Sequence, residues 1–501
     1  MTRQKFPLLA AVLAVLASSC IFVWDAGLVS SLPPEPGAVD APKAQKAAQE
    51  TKAAKEPVAL ARLGDGKPVC GLGKAFHAGR RAELMKRVGD ELLVFRGLAG
   101  SRANLAFRQD KNFWYLTGVE SPRAALVLDG KSKKEILFLP EQDLGAEVWR
   151  GEIWDASDNW VKELTGFTDV RPIGELEKTL RDLLGGRKKI GTSLASTIAL
   201  SDSYDEAGEF DRAQEDDPLD GRPTREKALA AKLSEKLGVQ VFDVWPTLVE
   251  MRWVKTPEEI AAMKRAARAG ALAHVEGMRS SRPGVGEWEL DGVMSFIQLR
   301  EGAFGKAYEA IVGSGPNACF LHYTASSRRL GAGEVVLVDY GPEVDHYTTD
   351  ITRSWPTDGT FGTHAAELYD AVLEAQKAGI AACKPGATVR DVSKACSEVL
   401  QKRGFAKYVL HGPCHSIGLE VHDPHDPGRY FNKPLEPGVA FTVEPGLYDT
   451  KAGIGIRIED VVVITADGCE VISRLAPKER AEVEQTVKAE GILDRLAASG
   501  D

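Results

Sequence analysis

The junction Lys255-Thr256-Pro257-Glu258-Glu259 constrains this chain more than any other stretch of it. Thr256 suits a helix N-cap, Pro257 suits the first helical position, where an N–H is not needed, and Glu259 completes a capping box. Ile260, Met263 and Ala267 then recur on one helical face, so a long helix starts here and the chain before it must close as a unit of its own. A length of 501 residues accommodates two or three such units. With 44% hydrophobic and 27% charged residues, the composition is globular and excludes a disordered or polytopic membrane chain. The 63 Lys and Arg against 72 Asp and Glu leave a net charge of -9, which argues against nucleic acid as a partner.

Residues 1–24 read as an export signal, in which Arg3 and Lys5 precede an apolar run over residues 6–17. Small residues leading into Cys20 resemble a bacterial lipoprotein cleavage site. Residues 21–24 prolong the apolar run, and an uncleaved single-span anchor is the alternative. Residues 25–74, rich in Pro, Ala, Lys, Gln and Glu, read as a flexible linker. The expectation is an exported protein, periplasmic or at the cell surface, tethered to a membrane through a lipid on Cys20. Cys70, Cys319, Cys383, Cys396, Cys414 and Cys469 form no CxxC pair and no dense framework. That excludes a zinc ribbon and a disulfide scaffold and leaves room for one bridge.

Residues 75–246 read as a mixed α/β domain with a helix over 80–88 and strands over 91–95, 124–128 and 136–139. The acidic stretch 201–222, which contains Gly and Pro, reads as a mobile surface excursion. Residues 247–495 read as a second domain. Its helices are expected over 365–380 and over 389–401, the latter capped by Thr388. Its strands are expected over 335–340, 347–355, 439–443 and 456–464.

The chemistry lies in that second domain. Val335-Val-Leu-Val338 ends in Asp339, Gly341-Pro342 makes a turn, and the next strand carries Asp350. Such a hairpin can aim both carboxylates into one cavity, although two surface acids beside a turn would look the same. Four of the nine histidines fall within residues 411–425, in His411-Gly-Pro-Cys-His415-Ser-Ile-Gly418-Leu-Glu-Val-His422-Asp423 and at His425. Imidazole is both a metal ligand and a proton carrier near neutral pH. Glu444 ends another strand, and Gly455-Ile-Arg457-Ile-Glu459 puts Arg457 and Glu459 on one face of a further one. Asp339, Asp350, His415, Glu444 and Glu459 together offer four carboxylates and an imidazole. Two divalent cations would balance those four negative charges and activate a shared water, with no Ser or Cys nucleophile required. Oxygen-rich ligation favours Mn, Co, Fe or Zn.

Gly313-Ser-Gly315-Pro-Asn-Ala318 matches a dinucleotide fingerprint. Pro316-Asn317 and the alternating residues 319–323 read as turn and strand where that motif needs a helix start. Trp253, Trp288 and Trp355 read as core, and Cys414 as a small buried filler.

Several segments resemble those of the pita-bread metallopeptidases, in particular the Xaa-Pro aminopeptidase and prolidase branch, over about residues 75–490. They are Ile311-Val-Gly-Ser-Gly-Pro-Asn-Ala-Cys-Phe-Leu-His322-Tyr, Leu337-Val-Asp339-Tyr-Gly, Thr349-Asp350-Ile-Thr-Arg-Ser-Trp-Pro356, the histidine segment, Thr442-Val-Glu444-Pro-Gly-Leu-Tyr448 and Gly455-Ile-Arg457-Ile-Glu459-Asp460. In the first half, Phe107-Arg-Gln-Asp110-Lys-Asn-Phe-Trp-Tyr115-Leu-Thr-Gly118 is similar to the hallmark of that branch's first domain.

The resemblance implies an α/β (α+β) chain, with a creatinase-like, aminopeptidase P-like domain followed by a pita-bread catalytic domain. It implies that Asp339 binds one metal, that Asp350 and Glu459 bridge two, and that His415 and Glu444 complete the second. His322, His411 and His422 would line the substrate site, with Arg457 as electrostatic support. The cofactors implied are two divalent ions, Mn before Co, Zn or Fe, and the substrates are peptides with Pro at the second position, cleaved through a metal-bridging hydroxide. A homo-oligomer, dimer or tetramer, is also implied. The departures, among them Tyr340 after the first ligand, touch no ligand. An Xaa-Pro dipeptidase is the alternative. A catalytically silent, surface-tethered binding protein on the same fold is a second one, disfavoured by the complete ligand set.

Overall fold

A computed structural model describes residues 68–101, 105–198, 203–424 and 427–498. The export signal, Cys20, most of the expected linker and His425 lie outside the described residues. Among the described residues, no helix is long and apolar enough to cross a membrane.

The amino-terminal half is built on a six-stranded mixed sheet. Its order is Asp169–Pro172, Lys134–Leu139, Ala125–Asp129, Leu92–Arg96, Lys189–Thr192 and Gln240–Asp243. The central strands read as unbroken apolar runs because both faces are covered. Leu93, Phe95, Leu126, Leu128, Leu137 and Leu139 enter the main core. Their alternate neighbours Leu92, Val94, Val127, Ile136 and Phe138 pack with Leu180, Leu184 and Leu233 on the other side. With both faces apolar, pattern alone does not set the register. The turn after Asp129 holds it, where the carboxylate accepts from Lys131 N at 3.2 Å and Ser132 Oγ at 2.5 Å and Lys133 takes a positive φ.

Two expectations for this half are corrected. The first helix is Lys74–Val88, longer than expected, and it begins within the stretch read as linker. The stretch read as a surface excursion contains a helix, Tyr204–Asp216. Its acids have a helical role, since Asp205 and Glu206 occupy the first turn, where the helix dipole favours negative charge.

The junction helix is Pro257–Arg279, with the Thr256 and Glu259 capping box in place. Beyond it, Ile311–Ser314, Val335–Asp339 and Thr352–Pro356 form one antiparallel sheet, with Val335–Asp339 in the centre. Ala440–Val443, Asp460–Ile464 and Cys469–Val471 form another, and Gly446–Asp449 pairs with Ile454–Arg457. Helices Thr363–Ala382 and Val389–Lys402 follow the expected pattern. Buried residues of both halves, among them Trp114, Leu248, Trp253, Met263 and Phe441, share one apolar core.

Two strands expected to be continuous are broken. The run 347–355 is Tyr347–Thr348 and then Thr352–Pro356, and the run 456–464 is Ile454–Arg457 and then Asp460–Ile464. Residues 319–323 hold no strand, and Gly315–Cys319 is a short 3-10 helix rather than the α-helix a dinucleotide site needs. Trp253 and Trp355 are fully buried, whereas Trp288 is 44% exposed and sits beneath the Arg329 guanidinium.

Candidate metal centre

Each expected ligand sits where a strand ends or breaks. Asp339 is the last residue of its strand, Asp350 lies in the first break, Glu459 in the second, and Glu444 directly follows Ala440–Val443. A regular strand sends successive side chains to opposite faces. The breaks release the chain from that alternation and let acids from separate strands turn toward one point. Asp339 therefore does not face Asp350 across a hairpin, as its strand partner is Thr352. Instead, the chain between the two doubles back through Pro342–Val344 and Tyr347–Thr348, with Asp345 and His346 both at positive φ in the tight turn. Gly341 permits the close return, because a Cβ there would lie 1.8 Å from the Thr349 carbonyl oxygen.

The acids converge on His415. Its Nε2 is 3.4 Å from Asp350 Oδ2, 3.6 Å from Glu444 Oε1 and 3.7 Å from Glu459 Oε1. Ligand atoms of Asp350, His415 and Glu459 all lie within 4.8 Å of one another. Nδ1 of His415 lies 3.2 Å from the Ser416 carbonyl and donates to it, which turns Nε2 toward the acids. Glu444 is pinned to the histidine segment by its N–H, which donates to Pro413 O at 2.9 Å.

Asp339 joins through its neighbours. The Tyr308 hydroxyl lies 2.5 Å from Asp339 Oδ1 and 2.6 Å from Asp350 Oδ1. Arg457 donates to Asp339 Oδ2 at 2.5 Å and to Thr352 Oγ1 at 3.0 Å, and Thr352 donates to Glu459 Oε2 at 2.8 Å. Arg457 ends its strand and Glu459 lies in the break beyond it, yet both turn to the Asp339 and Thr352 pair.

Arg457 alone does not balance the four acids. Glu459 Oε1 is buried with no hydrogen-bond partner, and an unpaired buried carboxylate oxygen is costly. Burial, then the charge of Asp350, raise the Asp339 carboxyl to about 6 against the opposing pull of Arg457. Burial and then Glu459 hold Glu444 well above the ordinary carboxylate range. Burial alone would lower His415, but the facing carboxylates of Asp350, Glu459 and Glu444 keep it well above the usual imidazole value. Protons are standing in for cations. Four carboxylates, one oriented imidazole and an unsatisfied inward oxygen fit divalent ions with oxygen-rich ligation.

A cavity of about 430 Å³ opens over these acids, and His322, His411, His415 and His422 all line it. His322 is exposed, in the turn after the 3-10 helix. His411 Nε2 is 2.9 Å from the Tyr448 hydroxyl, and burial followed by the nearby Arg457 charge lowers the imidazole to about 4. His422 packs edge-on against His415 with ring centroids 4.5 Å apart. Cys414 is only partly buried and also lines the cavity.

The amino-terminal half holds the histidine segment in place. Lys111 Nζ donates to Leu419 O at 2.6 Å, and Tyr204 N to Glu420 Oε2 at 2.7 Å. Arg252 pairs with Glu420, with Asp423 Oδ1 at 2.7 Å and with Asn112 Oδ1 at 2.9 Å, all fully buried or nearly so. Asp205 meets His422 at 2.7 Å, and Ser203 and Glu206 line the cavity. Tyr308, Thr352, Arg252, Glu420 and Asp205 were not among the residues expected from sequence. Of these, Thr352 and Glu420 lie inside quoted motifs, while Tyr308, Arg252 and Asp205 carry no local signal.

Models of two known families match the chain: metallopeptidase family M24 over residues 261–466, and the aminopeptidase P N-terminal domain over residues 77–191. The chain is 32% identical over 444 residues to an Xaa-Pro aminopeptidase of Escherichia coli, covering 82% of this chain and 97% of that one. It is 31% identical over 474 residues to Xaa-Pro aminopeptidase 3 of Homo sapiens, covering 85% and 88%. Among solved structures, proline aminopeptidase P II from Yersinia pestis matches with a TM-score of 0.70 and 30% identity over 83% of this chain and 99% of that one. Aminopeptidase P from E. coli with the inhibitor Pro-Leu matches with a TM-score of 0.68 and 29% identity, over 85% and 99%.

Proposed function

The chain belongs to metallopeptidase family M24, and from that premise we propose that it is a metal-dependent aminopeptidase that releases the residue preceding proline from peptide amino termini. The observation that carries this is the convergence of Asp350, Glu444 and Glu459 on His415, with a buried Glu459 oxygen left unsatisfied beneath a peptide-sized cavity. An Xaa-Pro bond lacks an N–H and restricts the preceding residue, so a dedicated site for it is useful.

Asp339, Asp350, His415, Glu444 and Glu459 would hold two divalent ions, Mn first and Co, Zn or Fe as alternatives. When bound, such ions acidify a water and polarise the scissile carbonyl. The chain's own groups do the rest. Arg457 and Tyr308 fix the two oxygens of Asp339, and Thr352 fixes one oxygen of Glu459, leaving the other directed inward. His411, held between the Gly412 carbonyl at Nδ1 and the Tyr448 hydroxyl at Nε2, presents its ring to the substrate side of the cavity. His422, oriented by Asp205, and His322, at the exposed edge of the cavity, complete the side that meets the peptide.

We further propose export to the periplasm or cell surface with a lipid tether at Cys20, on the charged start and apolar run of residues 1–17, and a dimer or tetramer, on the family resemblance alone.

The deciding experiment incubates the metal-loaded full chain with peptides of increasing length that carry Pro second. The first residue should be released from all of them, and Asp350→Ala or His415→Ala should abolish release. An intact panel overturns the specificity. Cleavage of dipeptides alone establishes the dipeptidase alternative, and fewer than one bound ion per chain after reconstitution establishes the binding protein.

A further inference from the structure

Two thiols from distant parts of the sequence meet outside the catalytic cavity. Cys383 follows the last residue of helix Thr363–Ala382 and is 3% exposed, while Cys469 opens strand Cys469–Val471 and is half-buried. Their surroundings interlock. The Cys383 thiol donates to Gly379 O at 3.3 Å and the Cys469 thiol to the next carbonyl, Ile380 O, at 3.6 Å. That same Ile380 oxygen accepts the Cys383 N–H at 3.0 Å, so both cysteines close on one carbonyl. The fold thus delivers to one point a pair of cysteines that no spacing motif in the sequence connects.

We propose that Cys383 and Cys469 are a disulfide-forming pair, closed in an oxidising compartment and open in a reducing one. The oxidant is a disulfide of the glutathione or thiol-oxidase class. Cys469, the more accessible thiol, attacks it as a thiolate, forming a mixed disulfide and releasing one oxidant thiol. Cys383 then attacks the Cys469 sulfur, closing the bridge and releasing the second. The two protein thiols lose two electrons and two protons in all, and the oxidant's disulfide is reduced to two thiols. The roles fit the environment, since Cys469 is half-buried and within reach of the oxidant, whereas Cys383 is 3% exposed.

The loop so closed, residues 384–468, carries His411, His415, His422, Glu444, Arg457 and Glu459. A bridge across so long a loop restricts the unfolded chain strongly and leaves the native contacts as they are. The expected consequence is resistance to unfolding in the segment that supplies most of the catalytic groups. This inference draws on the export reading for its oxidant and on no aspect of peptidase activity.

The test takes the full chain, reduces it, and equilibrates it in buffers of graded oxidised to reduced glutathione. It is then denatured, alkylated and mapped by mass spectrometry without reductant. A linked Cys383–Cys469 peptide is expected, with Cys70, Cys319, Cys396 and Cys414 alkylated. The oxidised form should melt several degrees above the reduced one, and Cys469→Ser, at a half-exposed position, should fold and abolish that difference. Alkylation of both cysteines across the whole range overturns the proposal, as does a Cys383 link to Cys396. Failure of export would show separately, as reduced thiols in protein recovered from cells despite a bridge in glutathione buffer.

Discussion

Nδ1 of His422 lies 2.7 Å from Oδ2 of Asp205, a carboxylate in the first turn of helix Tyr204–Asp216. The acid fixes which ring nitrogen faces it and sets the orientation of the ring in the cavity that His422 lines. An amino-terminal half that carries none of the candidate ligands thereby orients a side chain where the substrate is expected.

Asp205→Asn should lower kcat/KM on Xaa-Pro peptides by about 10- to 100-fold, the usual effect of removing a group that orients an active-site imidazole. Bound metal per chain should stay the same, because His422 is not among the ligands. Steady-state kinetics alongside metal analysis checks both. A parallel fall in metal content would assign Asp205 to holding the site together.

Tyr308→Phe keeps the ring and removes the hydroxyl shared by Asp339 and Asp350. Metal affinity, measured by competition with a chelator, is expected to fall about 10- to 100-fold, with Tm of the metal-free protein little changed. Unaltered affinity would mean that the hydroxyl serves only packing.

Metal removal should have a pH signature. In the metal-free protein the Asp339 carboxyl titrates at about 6, against 3.8 for its ordinary value. Between those values the folded state holds a proton that the unfolded chain has lost, so this group's contribution to stability falls as pH rises from 3.8 through about 6. Cations need the ionised carboxylate, so Mn(II) should raise Tm more at about pH 7.5 than at about pH 5. Calorimetry with and without metal at both pH values decides it, and equal shifts would remove Asp339 from the ligand set.

Glu343 gives the opposite sign. Burial would raise it, but Arg108 at 2.7 Å and Lys111 at 3.2 Å hold it at about 2, below its ordinary 4.5. Its contribution is complete above 4.5 and is lost as pH falls toward 2. Glu343→Gln should cost about 3–5 kcal/mol at pH 7 by leaving buried cations short of a partner, and should flatten the acid limb of stability. Urea unfolding at a series of pH values measures both.

Much of the catalytic half is readable from local pattern. Apolar runs ending in Asp339 or Glu444 announce strands with an acid at the tip, and the Thr256 capping box announces the helix that forms there. The strand breaks at 349–351 and 458–459 are not readable, because the flanking residues are as apolar and β-branched as those of an intact strand. Helix Tyr204–Asp216 has the composition of a loop. Its position is set by Glu420 and His422, some two hundred residues on, a tertiary cause that no window of sequence contains. Tyr308 fails for the same reason, as nothing near it in sequence marks a hydroxyl between two carboxylates.

Arg108, Lys111 and Asn112 all lie in the segment 107–118 of the first half, and all reach the second: Arg108, which also pairs with Glu120, and Lys111 on Glu343, Asn112 on Arg252. That dependence bears on ancestry and on engineering. Excising the carboxyl-terminal half would remove the cations that pair with Glu343 and the contacts of Lys111 and Tyr204 to the segment that carries His415 and His422. The two halves are bound to one another as counterions, so a change to either one must be tolerated by both.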